Sequence, residues 1–188
     1  MASLVERAGP LRLRPPSADP FAALVRAIMY QQLATGAASA IHARLLALFD
    51  WGLTPEAVIA LPDERLRGAG LSQAKAASIR DLAQKSIDGT VPLHGLPRMD
   101  DEEIVLRLSR VRGIGRWTAE MFLIFELRRM DVWPVDDHGV RHGWALAHGL
   151  DAPPTARALQ PEGERFRPYR TVVAWYCWRA VHLARGRP

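Results

Sequence analysis

Apolar side chains recur at helical spacing near the start of the chain. Asp19 and Pro20 precede five of them that fall on one helix face: Phe21, Leu24, Val25, Ile28 and Met29. An aspartate followed by a proline is a typical helix start, because the carboxylate can accept a backbone N–H and proline fixes the first helical φ angle. The pattern therefore predicts an amphipathic helix that begins at residue 20.

The same periodicity, interrupted by start and stop residues, continues through the middle of the chain. Residues 35–50 and 72–88 each predict a helix that opens with Thr or Ser, and residues 54–68 predict two short ones. Asp100 and Glu103 have the spacing of a capping box and predict another helix start. No segment alternates apolar and polar residues in the manner of a strand, so we expect an all-α fold.

A glycine turn joins two predicted helices within residues 103–126. Glycine permits positive φ and close approach, and a helix that starts after such a turn presents backbone N–H groups and its positive end to an anion. The pattern is typical of a helix-hairpin-helix that grips the nucleic-acid backbone, and an ordinary corner between helices is the alternative. The residues assigned to DNA binding here are Gly113, Ile114, Gly115, Arg116 and Thr118.

Two adjacent carboxylates, Asp136 and Asp137, follow Trp133 and Pro134 at the start of a helix predicted over residues 137–147. A solvated turn would explain them. A second alternative is a zinc hydrolase, because His138 and His142 are four residues apart and would lie on one helix face beside these carboxylates. The segment lacks the glutamate of the HExxH motif.

Composition limits the classes of protein that remain. With 188 residues, 48% of them hydrophobic, the chain can bury the core of one domain or of two small lobes. No apolar run approaches the roughly 20 residues that cross a bilayer, and no signal peptide is apparent. We therefore expect no membrane partner and an intracellular protein, cytoplasmic and nucleoid-associated if it is bacterial.

Charge and cysteine content narrow the chemistry further. The formal charge of +5 and a pI near 10.1 suit a polyanionic partner. Arginine supplies all of the basic residues except Lys75 and Lys85, and its guanidinium matches phosphate geometry. The single cysteine, Cys177, excludes an internal disulfide, an all-thiolate zinc site and an iron–sulfur cluster held by four thiolates.

Together, the hairpin and the "WPVDD" segment resemble the helix-hairpin-helix DNA glycosylases of the HhH-GPD superfamily, and within it DNA-3-methyladenine glycosylase II. Asp137 lies 20 residues after Trp117, which is the family's interval, and residues 21–41, 71–83 and 166–178 are similar as well. The resemblance implies a two-lobed helical fold with a cleft, with lobes of residues 1–33 plus 138–188 and of residues 34–137.

The resemblance also implies an activity: hydrolysis of the N-glycosidic bond of alkylated bases in double-stranded DNA, with the base flipped out of the helix. Asp137 is the implied catalytic carboxylate, and Asp136 is expected to be a solvated N-cap. Relatives that also cleave the abasic site carry a lysine where this chain has Trp117, so we expect a monofunctional, monomeric enzyme that requires no cofactor. A DNA-binding module without catalysis is the alternative.

Further site residues follow from the same resemblance. The base pocket is expected to include Trp117, Trp178, Tyr30, Met121 and Gln31. Core packing is the alternative for the tryptophans and helix capping for Gln31. The loop that fills the gap left by the flipped base corresponds to Leu33, Ala34 and Thr35. A structural Na⁺ or K⁺ is expected on the main-chain carbonyls of Ser109, Val111 and Ile114.

Overall fold

The computed structural model describes residues 2–31, 33 and 35–186, and these residues contain helices and no β-strand, which confirms the all-α prediction. In chain order the α-helices are α1 (Ala2–Ala8), α2 (Pro20–Tyr30), α3 (Thr35–Leu46), α4 (Pro55–Ala60), α5 (Asp63–Gly68), α6 (Gln73–Ile87), α7 (Asp101–Leu108), α8 (Arg116–Phe125), α9 (His138–His148), α10 (Ala156–Leu159) and α11 (Arg170–Ala184). Short 3₁₀ helices cover Leu96–Arg98 and Pro161–Phe166. No helix in the described part of the chain has both the length and the apolarity to span a membrane.

Most predicted helix starts have the expected caps. The side chains of Asp19, Thr54 and Ser72 accept backbone N–H groups from the first turns of α2, α4 and α6, at 2.8, 3.2 and 3.3 Å. The capping box is the exception. Asp100 precedes α7 but its side chain makes no cap bond, and Glu103 instead accepts a hydrogen bond at 2.9 Å from the arginine one turn later.

The chain divides into two compact units, and residues 16–122 form one of them. In this unit α6 packs against α2, α4 and α5, and α2 also packs against α3. The largest fully buried side chains of the unit are Phe21, Leu24, Ile28, Met29, Leu45, Leu66, Ile79, Leu82, Leu96, Ile104 and Leu108. Because α6 contacts three other helices, it is the central element of this unit.

The other unit combines residues 1–15 with residues 123–188. Helix α11 packs against α9 and α1. At the crossing with α9, a Cβ on Gly143 would lie 1.8 Å from the carbonyl oxygen of Cys177, so the two backbones approach at a distance that excludes any side chain. The core around this crossing consists of Trp133, Val140, Trp144, Leu159, Val173, Ala174 and Cys177.

The unit boundaries, after residues 15 and 122, differ from the lobe boundaries expected after residues 33 and 137. Helix α2 is the reason at the first boundary, because its apolar face packs against α3 and α6 within the unit of residues 16–122. At the second boundary, residues 129–132 are hydrogen-bonded to the start of α11 in the other unit, through the backbone and side chain of Thr171.

A partly buried group of ion pairs holds the same loop in place. Arg170 donates to the carboxylate of Asp131 at 2.7 and 3.1 Å and to its carbonyl at 2.8 Å, and Arg167 donates to that carboxylate at 2.8 Å. Burial raises the pKa of Asp131, but the hydrogen bonds and charge of Arg170 outweigh burial and hold that pKa below its usual value. The loop that leads into α9 is therefore anchored at its start.

Candidate active site and nucleic-acid interface

Asp137 is the N-cap of α9 and is 8% exposed. Its Oδ1 accepts the backbone N–H of Val140 at 2.7 Å, and its own backbone N–H donates to the carbonyl of Pro134 at 3.0 Å. A negative charge at this position is favoured by the positive end of the helix. The proline turn and the helix start thus fix both the backbone and the side chain of this carboxylate.

The neighbouring carboxylate has a different environment. Asp136 is exposed, and the expectation that it caps the helix is wrong, because the cap bond is made by Asp137. The helix begins at His138, one residue later than predicted, and the N-cap is the residue immediately before the first helical one. The two aspartates are therefore clearly distinguished by burial and by hydrogen bonding.

Trp178 also contacts this carboxylate. Its indole Nε1–H donates to Asp137 Oδ1 at 2.8 Å, and its ring stacks on Phe125 with 5.7 Å between centroids and 24° between planes. A Cβ on Gly139 would lie 2.8 Å from Trp178 Cδ1 and 3.1 Å from Asp137 Oδ1. The bond between the indole and the carboxylate therefore depends on a glycine at position 139.

The thiol nearest to this site is inactive. Cys177 is fully buried, and burial, assisted by the negative charge of Asp137, raises the pKa of its thiol to about 12. At neutral pH the thiol keeps its proton and cannot act as a nucleophile. Cys177 is therefore not a candidate for covalent chemistry at this site.

The predicted hairpin is present between α7 and α8. Gly113 has φ +78°, and the backbone N–H of Ile114, a buried residue, donates to the carbonyl of Val111 at 3.0 Å. A Cβ on Gly113 would lie 2.7 Å from Ser78 Oγ. This turn therefore requires glycine at its first position both for its backbone conformation and for space.

Gln31 links the end of α2 to the hairpin. Its side-chain amide donates to the carbonyl of Gly113 at 2.9 Å and to the hydroxyl of Thr118, a buried residue of α8, at 3.3 Å. Thr118 thus binds a protein side chain, and its hydroxyl holds the first turn of α8 in place.

Arg116 opens α8 and has carboxylate partners. Its guanidinium donates to both carboxylate oxygens of Glu102, at 3.1 Å for one of them, and lies 3.8 Å from Glu120. The hydrogen bond from Arg116 lowers the pKa of Glu102. A phosphate at this helix start would share the guanidinium with these carboxylates.

Residues 25–168 match the HhH-GPD superfamily of base excision DNA repair proteins. The chain belongs to this superfamily. The predicted family resemblance is thereby confirmed.

Relatives within the HhH-GPD superfamily share most of the chain. DNA-3-methyladenine glycosylase 1 of Schizosaccharomyces pombe is 38% identical, over 88% of this chain and 74% of its own. A solved structure of a 3-methyladenine DNA glycosylase from that organism in complex with abasic DNA has a TM-score of 0.83 and 37% identity, over 95% of this chain and 89% of its own. A DNA-3-methyladenine glycosidase from Bacillus halodurans has a TM-score of 0.89 and 34% identity, over 99% of this chain and 86% of its own.

The aromatic side chains that the superfamily resemblance assigned to a base pocket have different environments. Trp117 is 44% exposed, so core packing does not explain it. Tyr30 is half-buried, with its ring edge against His42 at 6.1 Å and the guanidinium of Arg26 over its face at 4.9 Å. Met121 is half-buried.

The predicted pocket residues belong to both units of this HhH-GPD chain. Residues 30, 31, 117 and 121 lie in the unit of residues 16–122, while Asp137 and Trp178 lie in the other and are directly bonded to each other. Their roles toward a base stay predictions. In the predicted wedge loop, Leu33 is 38% exposed. Ala34 lies outside the described residues, as does the side chain of Thr35, whose backbone begins α3.

The zinc-hydrolase alternative lacks a ligand set in the described residues. His138 and His142 lie on successive turns of α9, with 4.6 Å between ring centroids. Within residues 2–31, 33 and 35–186, however, no group of three His, Cys, Asp or Glu side chains could hold a metal ion. A paired histidine alone does not supply the three protein ligands of a catalytic zinc site.

The predicted monovalent cation depends on main-chain carbonyls instead. Of those of Ser109, Val111 and Ile114, the carbonyl of Val111 already accepts the N–H of Ile114 at 3.0 Å. A carbonyl oxygen has a second lone pair, so the hydrogen bond is compatible with an ion. The Na⁺ or K⁺ site stays a prediction.

Two residues of α6 that were not predicted as site residues hold the end of α2 and the hairpin turn. Lys75 Nζ donates to three carbonyls at the end of α2, and Asp81 accepts the backbone N–H of Arg112, at the start of the turn, at 2.7 Å. The partners are separated by 31 to 47 residues along the chain. Local sequence patterns cannot reveal contacts at that separation.

Proposed function

We propose that the protein is a monofunctional DNA glycosylase that hydrolyses the N-glycosidic bond of alkylated bases, such as 3-methyladenine and 7-methylguanine, in double-stranded DNA. The observation that carries this proposal is the carboxylate of Asp137, held at a helix start by a backbone N–H and by the indole of Trp178. The similarity to an enzyme named DNA-3-methyladenine glycosylase supports the substrate class.

The chemistry follows from the charge that develops on the sugar. The bond between C1′ and the base nitrogen breaks, and its electron pair leaves with the base, which alkylation at N3 or N7 has already made cationic and which therefore departs neutral. Positive charge develops at C1′ and the ring oxygen, and the carboxylate of Asp137 stabilises it. A water adds to C1′, and its surplus proton passes to the carboxylate and then to solvent.

No protonation of the leaving base and no cofactor is needed for this step. Glycosidases that act on neutral leaving groups use a second carboxylic acid, whereas a cationic base leaves without one. The exposed position of Asp136 is consistent with a single catalytic carboxylate.

The absence of a lyase step is supported by the two lysines. Lys75 donates to three carbonyls at 2.6 to 2.9 Å, and Lys85 donates to both oxygens of Asp81 at 2.7 and 2.6 Å. A lysine that forms a Schiff base must present a neutral amine to C1′. Trp117 occupies the hairpin position where relatives with lyase activity carry that amine.

DNA binding is assigned to the hairpin and to the loop after α2. Backbone N–H groups of Gly113 and Gly115 and the start of α8 suit a phosphate, with Arg116 beside them. Ile114, whose own N–H donates to the carbonyl of Val111, holds the turn in shape. Exposed Leu33 is the candidate for filling the gap in the base stack, and exposed Trp117 is the candidate for stacking on the everted cationic base.

Chromatography of the bases released from methylated duplex DNA tests this proposal. We expect 3-methyladenine or 7-methylguanine in the supernatant, with equal yield in the presence of a chelator. Borohydride added during the reaction should trap no covalent protein–DNA adduct. Release of no base would contradict the glycosylase assignment, and a trapped adduct would contradict the monofunctional one.

A further inference from the structure

Lys75 binds three backbone carbonyls at the C-terminal end of helix α2. Its Nζ donates to the carbonyls of Ile28 at 2.9 Å, Met29 at 2.6 Å and Gln31 at 2.8 Å. An ammonium group has three N–H donors, and all three are used here. The last carbonyls of a helix have no partner within it, and a positive charge is favourable at that end. The ammonium therefore fixes the backbone at the point where the chain leaves α2.

The residue fixed in this way also reaches the hairpin. Gln31 is bound through its carbonyl to Lys75, and its side-chain amide donates to the Gly113 carbonyl at 2.9 Å and to the Thr118 hydroxyl at 3.3 Å. Both N–H groups of the amide are engaged. One residue is thus tied at its backbone to α6 and at its side chain to the turn.

The same helix, α6, supports the turn directly. Ser78, three residues after Lys75, packs against the turn so closely that a Cβ on Gly113 would lie 2.7 Å from its Oγ. Asp81, three residues further, accepts the backbone N–H of Arg112 at 2.7 Å. Positions spaced by three lie on neighbouring parts of a helix face. One face of α6 therefore holds the end of α2 and the hairpin turn at a fixed separation.

We propose that Lys75 is a positioning residue for base eversion: through Gln31 it sets the spacing between the loop that carries Leu33 and the hairpin turn at Gly113. This inference rests on the proposed function. A wedge can enter the base stack while the hairpin holds a phosphate only if the two elements keep a fixed distance, and misplacement by about 1 Å can reduce a rate a hundredfold. Burial lowers the pKa of Lys75 because it removes part of the ammonium group from water.

The chain offers a matched control, because Lys85 is its other lysine and lies on the same helix. Lys85 donates to Asp81, and its removal leaves the Asp81 carboxylate in place as the acceptor of the Arg112 N–H. Lys75→Met and Lys85→Met therefore remove the same group and the same charge from α6. Only the first removes the link to the end of α2.

Two measurements separate positioning from binding. The first is the single-turnover rate of base release from an alkylated duplex, and the second is the Kd for an undamaged duplex, measured by fluorescence anisotropy. For Lys75→Met we expect the rate to fall about tenfold or more, while Kd changes by less than about twofold, because misplacement affects the everted state and not the phosphate grip. Lys85→Met should match the wild type in both.

Three further variants test the route through Gln31. Lys75→Arg retains several donors on a cation and should restore the rate to within about threefold of the wild type. Gln31→Ala should lower the rate to a similar extent as Lys75→Met, and the double variant should fall no further, because both changes break one connection. A 2-aminopurine placed beside the lesion should show reduced eversion in each slow variant.

Several outcomes would overturn the inference: a wild-type rate in Lys75→Met, equal losses in the two lysine variants, loss of DNA affinity in parallel with rate, or additive effects in the double variant. If Lys75→Met does not fold, Gln31→Ala tests the inference instead, because it leaves the ammonium of Lys75 and its bonds to the carbonyls in place. A wild-type rate in Gln31→Ala would refute the proposed link from Lys75 to the hairpin turn. A wild-type protein that releases no alkylated base would instead refute the proposed function.

Discussion

Replacing Asp137 with asparagine separates the structural role of this residue, its hydrogen bonds, from its proposed chemical role, its negative charge. Oδ1 of Asp137 accepts two hydrogen bonds, from the backbone of Val140 at 2.7 Å and from the indole of Trp178 at 2.8 Å. The amide oxygen of asparagine can accept both, and asparagine is as good an N-cap as aspartate. The expected loss of stability is therefore within about 1 kcal/mol, the value of the charge at the helix start.

Alanine at the same position should behave differently. It removes the cap and leaves the N–H of Val140, a fully buried residue, and the Nε1–H of Trp178 without their acceptor. The loss of a cap and of a partner for buried donors amounts to roughly 2 to 5 kcal/mol. In a chain of this length that corresponds to a fall in melting temperature on the order of 10 °C.

Activity should not follow stability in these variants. Both lack the negative charge that we propose stabilises the sugar cation, so both should release alkylated bases about a hundredfold or more slowly than the wild type under single-turnover conditions. Melting curves by far-UV circular dichroism and chromatography of released bases measure the two quantities. Asp136→Asn is the matched control, and it should retain both. If Asp137→Asn retained the wild-type rate, or if Asp136→Asn lost it, the assignment of the catalytic carboxylate would be wrong.

Other substitutions test the surroundings of this site. Gly139→Ala should slow base release about tenfold, because its Cβ would displace the indole of Trp178 from the carboxylate of Asp137. The melting temperature should change little, because alanine gains up to about 1 kcal/mol of helix propensity, which offsets the cost of the close contact. An unchanged rate would contradict the role of this contact. Gly143→Ala should destabilise the protein by about 3 kcal/mol in denaturant titrations, because its Cβ would overlap the carbonyl of Cys177; a loss below about 1 kcal/mol would mean that the helices separate easily. Asp131→Asn should remove a stabilisation that is fully present above the unfolded pKa of about 3.9 and is lost as the pH falls through the lower folded pKa, so that unfolding free energies of variant and wild type converge in acid. A constant difference between them down to about pH 2 would contradict a contribution from the charge of Asp131 and its bonds to Arg170.

Local signals in the sequence predicted the helices well. Caps such as Asp19 and Ser72 are recognisable because their bonds reach only two or three residues along the chain. The same reasoning failed at Asp100, whose side chain makes no cap bond, and it selected Asp136 where Asp137 caps the helix. Several residues near a helix start can serve as the cap, and which one does so depends on how the preceding loop enters.

The candidate site could be predicted only where a local sequence motif requires a particular residue type. The turn at Gly113 could be identified because positive φ and close approach demand glycine at that position. The partners of Arg116 could not be predicted, because Glu102 lies 14 residues away on another helix. Lys75 gave no signal for the same reason: its contacts are made between residues 44 to 47 apart, and one sequence contains no information on which helices meet.

The position of Asp137 explains how a single carboxylate can serve both folding and catalysis. An N-cap residue is held by the backbone of its own helix, and this bond restricts the geometry of its side chain. The indole of Trp178 shares the capping oxygen, and stacking on Phe125 keeps that indole in place. Gly139 keeps space for this arrangement in the first turn of the helix. A carboxylate fixed in this way stabilises a developing positive charge without first reorienting, which is the condition under which electrostatic stabilisation lowers a barrier most.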